Sequence, residues 1–77
     1  MTTGFVLLKT EIGQEKKIKS LLEKIPEVKD VRILYGEFDA LVTVEAGSTT
    51  ELARVIVEKV RAVPGIKSTR THVEVKI

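Results

Sequence analysis

The stretch from Val31 to Val44 shows the clearest alternation of apolar and polar positions in the chain. Two apolar runs rich in β-branched residues flank Gly36-Glu37, and glycine readily adopts the positive φ that a two-residue primed turn requires. The pattern therefore predicts a β-hairpin with one apolar face and one mixed face. The pairs on the apolar face are Tyr35 with Phe38, Ile33 with Ala40, and Val31 with Val42. The mixed face carries Arg32, Leu34, Asp39, Leu41 and Thr43.

A second apolar run, residues 4–10, is too short for a helix and predicts the first strand. Its two faces, Phe5 with Leu7 and Val6 with Leu8, are both apolar. Apolar residues on both faces are typical of a strand in a sheet that is covered on both sides. The sheet therefore needs two covering layers.

Residues 14–25 change to the period of an amphipathic helix. We expect Gly13 to cap this helix, Glu15 and Lys19 to form an i,i+4 ion pair, and Pro26 to end it. Its apolar stripe is Ile18, Leu21, Leu22 and Ile25.

A second helix is predicted to begin at a capping box, in which Ser48 and Glu51 bond each other's free backbone amides. It is expected to end before Pro64-Gly65. Its apolar stripe is Leu52, Val55, Ile56, Val60 and Val63.

The remaining strands are predicted at Val28–Tyr35, Phe38–Glu45 and Ile66–Ile77. A weak internal repeat, KIPEVKDVRI against AVPGIKSTRT, supports two halves that are each strand, helix, proline turn and strand. Two interleaved right-handed βαβ units give an α+β, ferredoxin-like βαββαβ fold. The predicted four-stranded antiparallel sheet has the order 4-1-3-2, with both helices on one face.

The helices cover only one face of this sheet, yet both central strands carry apolar residues on both faces. The sequence therefore predicts a homodimer that packs sheet against sheet. The pattern leaves open which face of each central strand meets the helices. The residues expected in the dimer interface are Phe5, Leu7, Tyr35, Leu41 and Val42.

Composition narrows the class of protein. The 77 residues form one domain with a thin core. The absence of cysteine excludes stabilisation by disulfide bonds or by metal ions bound to thiolates. The net charge is +2, and basic and acidic residues are interspersed along the chain. This pattern does not indicate a basic stripe for binding nucleic acid or a basic surface for binding membranes. No signal peptide or membrane span is present, so we expect a cytoplasmic protein. The lack of asparagine and the high charged fraction are typical of a thermophile.

The residues available for catalysis are few, and the sequence predicts no enzyme, cofactor or metal site. His72, the only histidine, lies on the charged side of the last strand, where a solvated surface residue is the simplest interpretation. Glu37 and Asp39 fit turn chemistry better than a catalytic carboxylate pair. Of the central-strand positions only Phe5 is aromatic, which disfavours direct nucleic-acid binding.

Two threonines, Thr69 and Thr71, interrupt the apolar pattern of the last strand. One interpretation is β-propensity at the start of a strand. In the other, these hydroxyls act with the turn amides of Gly36 and Glu37 and the carboxylate of Asp39, which are the groups needed to hold an amino acid zwitterion.

Three segments together resemble the effector-binding and oligomerisation module of the Lrp/AsnC (feast/famine) transcription regulators. They are Pro26-x-Val28-x-x-Val31, Gly36-x-x-Asp39, and Pro64-Gly65-Ile66-x-x-Thr69-x-Thr71. The similarity extends from Gly4 to about Val75. It implies a βαββαβ domain that dimerises through its sheets, assembles into octamer-like oligomers, and binds amino acids between dimers. The implied effector-binding residues are Gly36, Glu37, Phe38, Asp39, Thr69 and Thr71, with Phe38 where many members have tyrosine.

Full-length members of that family carry a helix-turn-helix domain before the first strand, whereas this sequence begins three residues ahead of it. We therefore expect residues 1–77 to form a stand-alone module without a DNA-binding domain. Two hypotheses follow: an amino-acid sensor linked to transcription regulation, or a structural partner that co-assembles with full-length regulators. A small dimeric αβ-barrel enzyme is a third alternative, which His72 is poorly placed to serve.

Overall fold

The computed structural model describes all 77 residues and contains four strands and two helices. The strands are β1 (Thr2–Thr10), β2 (Val28–Ile33), β3 (Ala40–Ala46) and β4 (Ile66–Val73). Helix α1 is Glu15–Glu23, and α2 (Thr49–Val55) continues into a π-helical turn at Ile56–Val60. The sheet is antiparallel with the order β2-β3-β1-β4. The predicted α+β, ferredoxin-like architecture and strand order are confirmed.

The hydrophobic core lies between the sheet and the helices. Both helical stripes face it: Ile18 and Leu22 of α1 and Leu52 of α2 are almost fully buried, and Leu21 and Ile25 pack at its margin. From the sheet, the core receives alternate residues of the two central strands. These are Val6 and Leu8 of β1 and Ala40, Val42 and Val44 of β3.

The other face of the sheet has no covering layer within the chain. Phe5 and Leu7 of β1 and Leu41 of β3 are half-buried there, and Leu7 lies directly beside Leu41. The register thus settles which face of each central strand meets the helices. It also corrects one expected interface residue: Val42 is fully buried in the core, because it pairs with Val6 on the helix side.

The connection between β2 and β3 is wider than the predicted two-residue turn. The pairs Val31–Val42 and Ile33–Ala40 form as predicted, but residues 34–39 lie outside both strands. Tyr35 does not face Phe38 across the hairpin and is fully exposed, so its expected place on an apolar face is wrong. The physical reason is that the Asp39 N–H donates to Leu8 O of β1 at 2.8 Å, which draws the start of β3 toward the centre of the sheet.

Local details at the helix ends also differ from expectation. Gln14, not Gly13, is the N-cap of α1, and Gly13 instead supplies a left-handed φ of 81° in the preceding turn. Lys19 pairs with Glu23 at 2.7 Å rather than with Glu15. At α2, the Ser48 hydroxyl accepts from Glu51 N as predicted, at 3.2 Å.

The other half of the capping box and the end of the last strand are shifted. The Glu51 carboxylate accepts from Gly47 N at 3.0 Å, one residue before the amide that was predicted. Strand β4 ends at Val73 rather than at Ile77, and beyond it Glu74 N donates one further backbone hydrogen bond to Thr3 O of β1 at 2.9 Å. None of the helices is long and apolar enough to cross a lipid bilayer.

Candidate functional site

Asp39 is held at the end of the hairpin by three hydrogen bonds, two to β1 and one to Leu34, just beyond β2. Its N–H donates to Leu8 O and its carbonyl accepts from Leu34 N, both at 2.8 Å. One carboxylate oxygen, Oδ2, accepts from Thr10 N at 2.9 Å. Because the backbone and one oxygen are engaged, the second oxygen, Oδ1, is presented at a fixed place.

The three residues before Asp39 form a loop with free backbone amides. Gly36 and Glu37 are exposed and Phe38 is half-buried. Their N–H groups make no hydrogen bond within the chain. Unbonded amides in a turn are donors for an incoming anionic group.

Phe38 lies against two cations from neighbouring strands. The Lys9 Nζ is 5.7 Å and the Arg70 guanidinium 5.8 Å from the centre of its ring. Cations at this distance from an aromatic face are attracted by its quadrupole. Lys9 of β1 and Arg70 of β4 therefore contact the predicted effector loop (residues 36–39), and neither of these cations forms an ion pair within the chain.

The two predicted threonines stand on β4, on the side that faces the helices. Thr69 is the register partner of Leu8, and Thr71 that of Val6. Since Asp39 bonds Leu8 from the other side, Asp39 and Thr69 flank the same residue, two strand spacings or roughly 10 Å apart. Thr71 lies two residues farther along β4, away from the loop, and is exposed. A depression of about 140 Å³ adjoins Thr69, lined also by Arg61, Ile66, Lys67 and Ser68.

Three residues near this site were not singled out from the sequence: Lys9, Thr10 and Arg70. Thr10 is buried and its hydroxyl is the one buried side-chain polar atom without a hydrogen-bond partner. An unpaired buried hydroxyl costs about 1–3 kcal/mol, so it is uncommon outside functional or strained positions. The alternation of strand one indicates the face of Lys9, but only the observed register brings it to Phe38.

The uncovered sheet face has an apolar centre and a charged rim. One row across the sheet reads Arg32, Leu41, Leu7 and Arg70, and the next reads Asp30, Thr43, Phe5 and His72. Arg32 and Asp30 pair with each other at 2.7 Å. His72 thus lies beside Phe5 at the rim. No group of three or more acidic, histidine or cysteine side chains is arranged to hold a metal ion.

Comparison with known proteins gives a consistent result. The family model described as the Lrp/AsnC ligand binding domain matches residues 3–77. An uncharacterized HTH-type transcriptional regulator of Pyrococcus furiosus is 35% identical over 75 residues, which are 94% of this chain and 50% of that protein. The chain thus spans about half the length of the curated regulators that it matches.

The chain is also similar to one solved structure and to part of one enzyme. The crystal structure of FFRP-DM1 has a TM-score of 0.92 and 37% identity, and the match covers 97% of this chain and all of that one. A homocitrate synthase of Sulfurisphaera tokodaii is 46% identical over 55 residues, but these are 71% of this chain and only 12% of the synthase. The fold, the extent of the family match and the regulator relatives agree, and the chain belongs to the Lrp/AsnC ligand binding domain family.

Proposed function

We propose that the chain is a non-enzymatic module that senses an amino acid and oligomerises in the service of transcription regulation. The observation that carries the proposal is the uncovered sheet face, where Phe5, Leu7 and Leu41 form an apolar centre that no part of the chain shields. A second copy that packs against this face removes that surface from water. Such a pairing is isologous, so each contact occurs twice about a two-fold axis.

The ligand site of the proposal is the effector loop together with β4. The free amides at Gly36, Glu37 and Phe38 and the Thr69 and Thr71 hydroxyls are donors for a carboxylate, and Oδ1 of Asp39 is an acceptor for an ammonium group. These groups surround no enclosed cavity within one chain. A neighbouring dimer that supplies the other wall would complete the site.

The mechanism of the proposal is a population shift. A ligand that touches two dimers binds only where both are present, and by mass action it stabilises the larger, octamer-like assembly. The response in transcription would come from mixed or competing assembly with regulators that carry DNA-binding domains. Within the chain, the coupling requires only that the loop and the open face belong to one rigid sheet.

The test is calorimetry against the twenty L-amino acids, with the mass of the assembly measured by sedimentation with and without ligand. We expect one or a few amino acids to release heat and to raise the mass. Asp39→Asn removes the charge but keeps an oxygen that can accept from Thr10 N, and Thr69→Val removes only the hydroxyl. Both variants are expected to weaken binding, whereas Thr50→Val, an exposed change on α2, leaves it unchanged. Absence of binding heat with all twenty amino acids would contradict the proposal.

A second candidate is a regulatory subunit of a biosynthetic enzyme. It is favoured by the homocitrate synthase match, because that segment is more similar in sequence than the regulators are. A pull-down from the source organism distinguishes the two: a regulator with a DNA-binding domain supports the first candidate, and an acyl-transferring synthase supports the second.

A further inference from the structure

A groove lies at the opposite end of the sheet from the effector loop. It has a volume of about 450 Å³ and is bounded by the start of β2, the end of β3 and the exposed side of α2. Strand β3 runs from one end to the other, and its seven residues place the two regions roughly 20 Å apart. The groove is therefore separate from the effector loop. Its volume is in the range of small-molecule sites.

One wall of the groove is fixed by an ion pair between segments distant in the sequence. The Lys59 Nζ contacts both carboxylate oxygens of Glu27, at 3.1 and 3.3 Å. This contact joins the start of β2 to the π-helical turn. The hydrogen bond from Lys59 lowers the pKa of Glu27 below its ordinary value of 4.5.

The small residues Ala46 and Gly47, at the end of β3, are part of the lining. The Glu51 carboxylate is already engaged there, because its Oε2 accepts from Gly47 N. Small residues in the lining leave room for a ligand close to the backbone. Val55 and Pro26 supply the apolar part of the lining.

Arg54 and Lys29 are the two side-chain cations of the lining that form no ion pair, and Arg54 is the one on α2. It lies three residues after Glu51 and four before Glu58, spacings that favour ion pairs on a regular helix. Neither ion pair forms. The Glu51 carboxylate instead accepts from Gly47 N. Toward Glu58, the helical spacing is changed by the π-helical turn, in which Arg61 N–H donates to Ile56 O at 2.9 Å. Single π-helical turns occur frequently at functional sites. The groove thus offers the unpaired guanidinium of Arg54 and, four residues later on the same side, the unpaired carboxylate of Glu58, with Glu45 as a second unpaired carboxylate in the lining.

From this arrangement we infer that the groove is a second binding site, for a small zwitterion of the α-amino acid class. The fork of Arg54 binds the ligand carboxylate through two parallel hydrogen bonds, and Glu58 binds its ammonium group. The apolar lining at Val55 and Pro26 accommodates a short side chain. Each subunit then carries two sites, one between dimers and one within the chain.

The test is an amide NMR titration of the ¹⁵N-labelled chain with each of the twenty L-amino acids. Saturable shifts at Ala46, Gly47 and Arg54 are expected for at least one of them. Arg54→Gln should weaken the binding reported by these shifts by about tenfold or more. Lys17→Gln removes the same charge from the exposed side of α1 and should leave them unchanged.

The amino acid that gives the largest groove shifts supplies the ligand controls. Its carboxamide lacks the negative charge and its N-acetyl derivative lacks the positive one, so both should bind much more weakly. Equal binding of either derivative would overturn the zwitterion assignment. Absence of groove shifts with all twenty amino acids would overturn the site itself.

The same spectra separate this inference from the proposed function. Shifts confined to residues 36–39 would leave the effector loop standing and remove the groove site. Shifts confined to the groove would do the reverse.

Discussion

At the scale of single residues, Asp39 stabilises the fold and also belongs to the proposed ligand site. Its backbone and Oδ2 close the hairpin onto β1, while Oδ1 stays available for a ligand. The motif Gly36-x-x-Asp39 indicated its importance. Its bond to Thr10 N could not be predicted, because it depends on the offset between β1 and β3 rather than on either segment alone.

The surroundings of Phe38 illustrate the same limit. The sequence pattern placed Phe38 at the start of the third strand, whereas in the structure it lies in the loop and contacts Lys9 of β1 and Arg70 of β4. The bulge between β1 and β4 near Lys9 shifts the register by one residue, and no local pattern encodes that shift. Long-range register is set by the packing of the whole sheet.

Glu27 gives a prediction about pH at the residue scale. Its pKa is lowered mainly by the hydrogen bond from Lys59, so its contribution to stability is present above its ordinary pKa of 4.5 and is lost as the pH falls through the lowered value. We expect Lys59→Met to return the Glu27 pKa toward 4.5, read from its carboxyl carbon in an NMR titration. Lys24→Met, a change at the exposed residue that follows α1, outside this pair, should leave the Glu27 pKa low.

At the scale of elements, the two amphipathic stripes and the strand order were predictable because local period and short connections determine them. The length of the β2–β3 loop was not, since Gly36-Glu37 alone suits a tight turn. Its observed width follows from the bond between Asp39 and Leu8. The π-helical turn was likewise unpredicted. Its extra residue does not change the burial of Val55, Ile56 and Val60, so the apolar pattern is the same for a regular α-helix.

The start of α2 carries the prediction for this scale. Ser48→Ala removes the hydroxyl that accepts from Glu51 N, and the loss of such an N-cap typically costs about 1 kcal/mol in the free energy of unfolding. Urea denaturation followed by circular dichroism measures it. Thr50→Ala, inside the same turn, should be neutral or slightly stabilising because alanine is the better helix former. Equal effects of the two changes would show that the cap contributes nothing.

At the scale of the whole molecule, the inventory of apolar positions predicted an open face from the sequence. Phe5, Leu7 and Leu41 lie on that face, because they alternate with core residues along β1 and β3. It failed for Tyr35 and Val42: Tyr35 lies beyond the end of β2, and Val42 is on the helix side. Assembly itself remains part of the proposal.

Leu41→Lys tests that assembly. The side chain is half-buried in the centre of the open face, so a charge there is tolerated in a single chain but is costly between two sheets. We expect the mass in sedimentation at micromolar concentration to fall from dimer or larger to monomer, with an unchanged circular dichroism spectrum. Val57→Lys, at an exposed apolar residue beyond α2, is the matched control and should leave the mass unchanged. A wild-type chain that is already monomeric would contradict the dimer.

The strand order has one more consequence, for how copies avoid aggregating. Strands β2 and β4 are the two edges of the sheet, and an unpaired edge is a template for fibril growth. Here the edges carry exposed charges, Lys29, Asp30 and Arg32 on one side and Lys67 and Arg70 on the other. These charges repel a second copy at either edge and so disfavour edge-to-edge stacking. We therefore expect the protein to resist fibril formation even at high concentration.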